Sequence, residues 1–363
     1  MATALDFVVR RDDFRECRFV PATGQSEIAL EPGDVLLEID RFAFTSNNVT
    51  YAAFGDAMNY WAFFPAPDGW GRIPVWGFAD AVRSKHDSIA EGERVFGYLP
   101  MSTNLVVQPD KVTEHGFVDA SPHRASLPAG YQQYARTAAG ADPDDENLQA
   151  LLRPLFVTSF LIEDLLADND FFGADAVVFT SASSKTALGT AFLVSRNRST
   201  ECDVIGLTSP RNVEFCNRVG YYDRVLPYDD LTSLPPDRAT VLVDMAGDAK
   251  LLGAVHNHFS GLEYSCIVGA THWDAAKTPD GELPGPQPRF FFAPTQLQKR
   301  REDWGAAGLE ARVAEAWNAF LPSLRSWMKV VHGRGPAAIE SVYVEMLDGK
   351  VDPAVGHILS LGD

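Results

Sequence analysis

The chain is short of the residues that build cross-links and metal clusters. Its 363 residues include four cysteines, Cys17, Cys202, Cys216 and Cys266, with no C-x-x-C pair among them. That scatter argues against a disulfide framework and a structural zinc site. Positive charge is scarce as well: 31 Lys and Arg stand against 49 Asp and Glu, a net charge of −18. A groove that tracks phosphates needs clustered cations, so nucleic acid is not expected as a partner, and the excess of negative charge serves solubility. No apolar run approaches the roughly 20 residues that span a bilayer, so no membrane partner is expected. The N-terminal MATALDFVVRRDD lacks the hydrophobic core of a signal peptide, and a cytoplasmic location is the default expectation. His256 and His258, two apart on a helix-patterned segment, face different directions and make no natural metal pair. Repeats and low-complexity tracts are missing too.

What is present is enough apolar residue, 46% of the chain, for two domains with substantial cores. The first third reads as β-rich. Asp34 to Thr45 alternates behind a Pro-Gly turn, Gly77 to Ser84 follows Pro74, and Glu93 to Leu99 follows Glu91-Gly92. Short strands at this spacing suggest a small barrel or sandwich. Pro109 to Glu146, rich in Ala, Pro, Gly and Asp, reads as a long connecting loop. From Asn147 helix and strand patterns alternate. A helix over Leu148 to Asp168 precedes strands at Val177, Asp203, Arg224, Val241 and Tyr264 to Ala270, with helices over Asn212 to Val219 and Lys250 to Phe259. That alternation implies a parallel sheet with helices on both faces. PRFFFAP, Pro288 to Pro294, reads as a further strand, Glu302 to Val331 as a helical region interrupted by Pro322, and Ser341 to Pro353 as strand and turn.

The most informative stretch is VVFTSASSKTALGTAFLV, Val177 to Val194, followed by DVIGLTSPRN, Asp203 to Asn212. A β-branched run, a turn of small residues, a helical segment and a second strand form a dinucleotide cradle. Small side chains at Ser181, Ala182, Ser183 and Ser184, leading into Lys185 and Thr186, let the backbone approach a pyrophosphate, whose charge suits a helix N-terminus. The glycines of the usual fingerprint are mostly replaced: its three positions fall on Ser181, Ser184 and Ala187. Lys185-Thr186 echoes the end of a P-loop, but the glycines of that loop are not there. The second strand ends Thr208-Ser209-Pro210-Arg211-Asn212, without the carboxylate that takes ribose hydroxyls. Hydroxyl and guanidinium donors suit a 2′-phosphate, which makes Ser209 and Arg211 candidates for NADP(H). A solvated arginine in a turn is the alternative.

Taken in order, PGDVLLEI, IPVWGFADAV, EGERVFGY, the cofactor turn, RVGYYDRVLPYDD, VLVDMAGD and the DGKVDP tail resemble the medium-chain dehydrogenase/reductase superfamily, in its zinc-free quinone-oxidoreductase-like branch. The resemblance implies an α/β fold. A GroES-like catalytic domain would span 1–149, completed by 333–363, with a Rossmann doubly wound parallel sheet over 150–332 and the cofactor in the cleft. Zinc-dependent members carry a Cys ligand and a Gly-His-Glu segment where this chain has Thr45-Ser46-Asn47-Asn48 and Trp76-Gly77-Phe78. Without thiolate and imidazole there is no Lewis-acid site at those positions. In the quinone-oxidoreductase-like enzymes an Asn and a Tyr face nicotinamide and substrate. Matching SNNVTYAAFG to that pattern puts Tyr51 on the tyrosine and Ser46 on the asparagine, with Asn48 placed to orient the substrate oxygen. A tyrosine packed on the barrel is the other reading of Tyr51.

Tyr60, Trp61, Phe63, Phe64, Trp70, Trp76 and Phe78 add an aromatic density that suits an apolar substrate, or simply a core or dimer interface. Thr158 falls where the family has a threonine near the nicotinamide amide. Gly247 and Gly269 end strands on the side where doubly wound sheets place cofactors. The expectation is an NADPH-dependent, metal-free reductase acting on a small apolar carbonyl compound, with a homodimer paired through the sheet edge. A non-catalytic NADPH-binding sensor or regulatory protein is the alternative.

Overall fold

The computed structural model describes residues 4–137, 140–197, 202–269 and 282–362. The chain divides into two units. One ends at Leu151 and resumes at Val330–Val351 and from Val355; the other holds Leu152–Lys329 and Asp352–Ala354.

The first unit is built on a nine-stranded sheet. At its centre β1 (Val35–Phe44) pairs antiparallel with β2 (Pro74–Ser84), β2 with β3 (Arg94–Pro100), and β3 with β4 (Gln133–Arg136). Val355–Ser360 closes against the other side of β1. Their buried faces read as alternating or near-continuous Val, Leu, Ile and Phe, as sheet interiors require. At Gly77 the backbone of β1 passes so close that a Cβ would lie 2.3 Å from the Arg41 carbonyl oxygen. The β1–β2 register shifts between Ile39 and Arg41, and only glycine fits beside that irregularity. After β1 the short helix α1 (Ser46–Ala53) follows.

Two expectations in this unit need correction. Pro109 to Glu146 is not a long loop. It holds the hairpin Pro109–Thr113 and Gly116–Asp119, then β4, and from Pro143 a helix that runs to Asp168. The polar composition concealed it because few residues carry its packing, chiefly Phe117 stacked on Tyr134 at 5.2 Å. Ser341 to Pro353 holds no strand: its first part is helical, and the expected turn follows from Asp348. Gly335–Leu347 is a helix, and its β-branched residues hid a helical period. Ile339, Val342, Tyr343, Met346 and Leu347 are buried on one face at spacings of three and four.

The second unit is a six-stranded parallel sheet. Its strands are β5 (Ala176–Phe179), β6 (Asp203–Thr208), β7 (Arg224–Pro227), β8 (Thr240–Asp244), β9 (Leu262–Ile267) and β10 (Arg289–Phe290). Their order across the sheet is β7-β6-β5-β8-β9-β10, the doubly wound order in which the chain reverses direction beside the first strand. Helix α2 (Lys185–Asn197) links β5 to β6 and α3 (Ala249–His258) links β8 to β9. Val178, Ile205, Leu207, Leu242, Leu252 and Val255 join one core between sheet and helices. Pro288 to Pro294 contributes only the two residues of β10, because the helix Ala293–Trp327 begins there, with Pro294 in its first turn. That helix breaks at Gly305 (φ 70°), not at Pro322. Of the strand expected over Tyr264 to Ala270, Ala270 lies outside the described residues.

Candidate functional site

In the second unit the carboxyl ends of β5 and β8 are tied together by side chains. Thr180 Oγ1 donates to the buried Asp244 carboxylate and accepts the N–H groups of Met245 at 3.0 Å and Ala246 at 3.1 Å. Asp244 Oδ1 accepts from Ala246 at 3.1 Å and Gly247 at 3.3 Å. Past that anchor Ser181 adopts φ 48°, doing with a small polar residue what the fingerprint does with glycine. Ala182 is buried: its N–H donates to Leu207 O at 3.0 Å and its carbonyl accepts from the Tyr222 hydroxyl at 2.7 Å. Gly206 in β6 makes room for it, since a Cβ there would lie 2.8 Å from the Ala182 Cβ. Ser183 Oγ accepts from Asn212 Nδ2 at 2.9 Å, and Ser184 Oγ caps α2 by accepting from Ala187 N at 3.3 Å.

Lys185 opens α2 half-buried. Desolvation brings its ammonium down to a pKa of about 8, with Asp352 opposing the shift. A cation at a helix N-terminus sits against the dipole unless an anion joins it. The α2 backbone is seated by Ser159, whose hydroxyl donates to Thr186 O at 2.8 Å. A Cβ on Gly189 would strike that hydroxyl at 2.7 Å. Thr158, the neighbour predicted from the resemblance, is half-buried and turns its Oγ1 to Pro154 O at 3.4 Å. Ser209 precedes the 3-10 turn Pro210–Asn212 that follows β6, and the exposed Arg211 lies within it. Gly247 (φ 66°) lies in the turn that follows β8, and Gly269 donates its N–H to Asp244 O at 3.4 Å.

In the first unit α1 starts at a capping box. Asn48 Oδ1 accepts the Thr45 N–H at 2.7 Å while its Nδ2 donates to Pro74 O at 2.8 Å. Both ends of that amide serve the chain itself, so the geometry gives Asn48 a capping role and does not aim it at a ligand oxygen. Ser46 is exposed and its hydroxyl donates to Met346 Sδ at 3.9 Å. Tyr51, three residues beyond Asn48, is buried in a cluster with Tyr60, Phe63, Phe64 and Tyr98, against which Trp76 and Tyr131 pack half-buried. Its ring lies 4.7 Å from Tyr60 and 5.6 Å from Tyr98. Its hydroxyl accepts from Trp76 Nε1 at 3.4 Å. Burial, with Tyr131 adding, pushes the Tyr51 phenol well above its ordinary pKa. It keeps its proton at physiological pH and is a hydrogen-bond donor.

A family model described as "Protein of unknown function (DUF2855)" matches residues 42–352. The chain belongs to the DUF2855 family. No curated protein sequence matches it. Among solved structures it is similar to CurA from Vibrio vulnificus in complex with NADPH, with a TM-score of 0.63 at 12% identity over 95% of this chain and 94% of that one. CurK enoyl reductase gives 0.57 at 12% identity over 99% of each chain. Human synaptic vesicle membrane protein VAT-1 homolog-like protein gives 0.55 at 12% identity over 100% and 99%. These likenesses show a shared fold: a β-rich GroES-like unit and a doubly wound parallel sheet.

Within this DUF2855 chain the structure brings Ser181 to Thr186, Gly206 and the start of the Ser209–Arg211 segment to one end of the sheet. The residues that shape that end and were missed by sequence are Thr180 and Asp244. Asp244 had a signal, a carboxylate inside the apolar run VLVDMAG; Thr180 read as one more strand residue. Tyr98 reaches the aromatic cluster from β3, and Tyr131 from the 3-10 turn Ala129–Tyr131. Among the described residues no three His, Cys, Asp or Glu side chains converge as for a metal ion.

Proposed function

We propose that this chain is an NADPH-dependent reductase of the medium-chain type that acts without a metal on an apolar carbonyl compound: an enone, quinone or ketone. One observation carries the reading: a small-residue turn at the carboxyl end of the central parallel strand, followed by a second strand that ends in Ser209 and Arg211 with no carboxylate. The residues fit the cofactor. Ser181 supplies the left-handed turn, Ala182 packs into the space left by Gly206, and Lys185 lies where the first-turn N–H groups of α2 lack helical partners. These groups would hold the pyrophosphate, Ser209 and Arg211 the 2′-phosphate, and Gly247 and Gly269 would leave the strand ends open to the rest of the nucleotide. When bound, NADPH supplies the hydride. Tyr51, held neutral, donates a hydrogen bond to the carbonyl oxygen as charge gathers on it. Thr45 to Asn48 and Trp76 to Phe78 bring no thiolate or imidazole, so hydrogen bonds take over the polarisation. The shared fold with CurA, in complex with NADPH, and with CurK enoyl reductase supports the reading. Phe290 and Phe292, 50% and 39% exposed beside the short strand β10, support pairing of two copies at that edge.

Titration of the purified protein with NADPH and NADH tests the cofactor. NADPH binds more tightly, and Arg211→Ala weakens NADPH by roughly 10- to 100-fold, the worth of a charge-assisted hydrogen bond, while leaving NADH unchanged. Equal affinity for the two nucleotides overturns the role of Arg211, and no binding overturns the cofactor. NADPH binding without oxidation by any enone, quinone or ketone leaves the non-catalytic binding protein.

A further inference from the structure

The aromatic cluster of the first unit carries four phenols whose hydrogen bonds are undersupplied. O–H···O bonds in proteins run at about 2.7–2.8 Å. Here Tyr60 and Tyr131 share a single contact of 3.4 Å, and Tyr51 receives Trp76 Nε1 at 3.4 Å. The Tyr98 hydroxyl, on a residue 0% exposed, meets no acceptor in good hydrogen-bond geometry among the described residues, and its polar neighbour is the equally buried Tyr51 phenol. A buried hydroxyl without an acceptor has given up its hydration for nothing in return.

Tyr98 is also not free to swing toward water. Its ring is enclosed by Tyr131 at 4.9 Å, Trp76 at 5.0 Å, Phe63 at 5.2 Å and Tyr51 at 5.6 Å. From behind, the Tyr134 hydroxyl donates to Tyr98 O at 2.7 Å and accepts from Arg124 Nη1 at 3.2 Å. Arg124 is itself locked by a fully buried ion pair with Asp119 at 2.8 Å. Gly97 lets Tyr134 come this close, since a Cβ there would lie 2.4 Å from its ring. Counted as donors and acceptors, each phenol offers one O–H and the indole of Trp76 adds a donor with no acceptor. The phenols and the indole supply no atom that only accepts; beside them the Asn47 side chain reaches the Tyr51 hydroxyl and Met58 brings a weakly accepting thioether. The half-buried Trp76 and Tyr131 form its outer side.

We propose that the Tyr98 hydroxyl is a specificity-determining donor, held without a well-placed acceptor so that an acceptor oxygen on the ligand completes its hydrogen bond beside Tyr51. The ligand that fits is a flat apolar molecule whose oxygen is a carbonyl and not an alcohol. This rests on the reading of the cluster as the seat of a carbonyl compound, and it adds the residue that chooses the oxygen.

The test uses nucleotide-free protein and quenching of tryptophan fluorescence by 4-phenyl-3-buten-2-one and by its alcohol, 4-phenyl-3-buten-2-ol. Wild type binds the ketone about tenfold more tightly than the alcohol, the worth of one buried hydrogen bond. Tyr98→Phe removes most of that preference by weakening the ketone alone. Its Tm equals or exceeds that of wild type, because the lost hydroxyl met no acceptor in good geometry. A wild type with no preference, or a Tyr98→Phe variant that keeps it, overturns the proposal. A fall in Tm with the preference intact does so as well, and assigns the hydroxyl to a structural bond. The reductase reading fails separately: a Tyr98-dependent preference in a protein that never oxidises NADPH sinks that reading and leaves the donor in place.

Discussion

At the turn after β5 the hydroxyls that shape the backbone have partners within the chain: Thr180 with Asp244, Ser183 with Asn212, Ser184 with the first turn of α2. In the aromatic cluster the Tyr60, Tyr131 and Tyr51 hydroxyls have contacts of 3.4 Å, and the Tyr98 hydroxyl meets no acceptor in good geometry among the described residues. The turn spends its side chains on shape, and in the proposed reading the first-turn N–H groups of α2 and Lys185 meet the pyrophosphate. The aromatic cluster takes its shape from rings and keeps hydroxyls uncommitted. A dinucleotide is large and invariant, so a rigid backbone cradle suits it. A small apolar compound offers one or two polar atoms, and selection among such compounds comes from polar groups that remain unpaired until the right one arrives.

Removing a carboxylate from the committed side should have the largest effect. Asp244→Ala strips the acceptor from Thr180, Ala246 and Gly247 in a buried setting. It is expected to cost about 3 kcal/mol of unfolding free energy, from leaving buried donors without a partner. Chemical denaturation measures this, and a loss below about 1 kcal/mol would mean that the turn is not held from β8. On the uncommitted side Tyr98→Phe leaves stability untouched or raised, and the comparison stands on that contrast.

Lys185 gives a smaller effect with a pH signature. Folding lowers its pKa from 10.5 to about 8, so between these values the native state binds fewer protons than the unfolded chain. Stability therefore rises as pH climbs from about 8 toward 10.5, and the destabilisation is fully present below that window. Partial exposure reduces its size. Lys185→Met should stabilise the protein at pH 7 by about 1–2 kcal/mol and flatten that rise, while weakening NADPH. For wild type the sign for NADPH is opposite, because a phosphate favours the ammonium: affinity is full below pH 8 and falls above it. A variant that loses stability at pH 7 would place the lysine in a structural ion pair instead.

How much of this was legible in the sequence follows from what each element uses to hold together. The parallel sheet declared itself because Val177 to Phe179, Val204 to Leu207 and Val241 to Val243 are buried on both faces and read as unbroken apolar runs. Gly335–Leu347 did not, since valine and tyrosine at helical spacing carry a strand's propensity and only burial of Ile339 through Leu347 decides between the two periods. The hairpin before β4 left little trace, its packing resting on Phe117 and Tyr134, far apart in the chain. The turn's backbone was legible because it is local, six consecutive residues between β5 and the first turn of α2. The aromatic cluster was half legible. Tyr51, Tyr60, Phe63 and Phe64 sit close in sequence, whereas Tyr98 and Tyr131 reach it through β3 and through a segment that looked unstructured. No local pattern tells an unpaired hydroxyl from a paired one.

Asn48 separates the two regions most finely, with the smallest expected effect. Sequence spacing offered it as a group that orients substrate, and the fold uses it to cap α1 from Thr45 and to hold Pro74. Asn48→Ala should then cost about 1 kcal/mol, the worth of a helix cap, read as a shift in denaturation midpoint. Tyr51 rides one turn further along α1, so the ketone preference should weaken only as far as the helix start frays. Asn48→Asp keeps the acceptor for the Thr45 N–H but gives up the donor to Pro74, and it should recover part of the stability. If instead Asn48→Ala abolishes the preference between ketone and alcohol with stability intact, the amide reaches the ligand. Committed and uncommitted polar groups would then share one site in the first unit, and Tyr98 would no longer be the residue that chooses the oxygen alone.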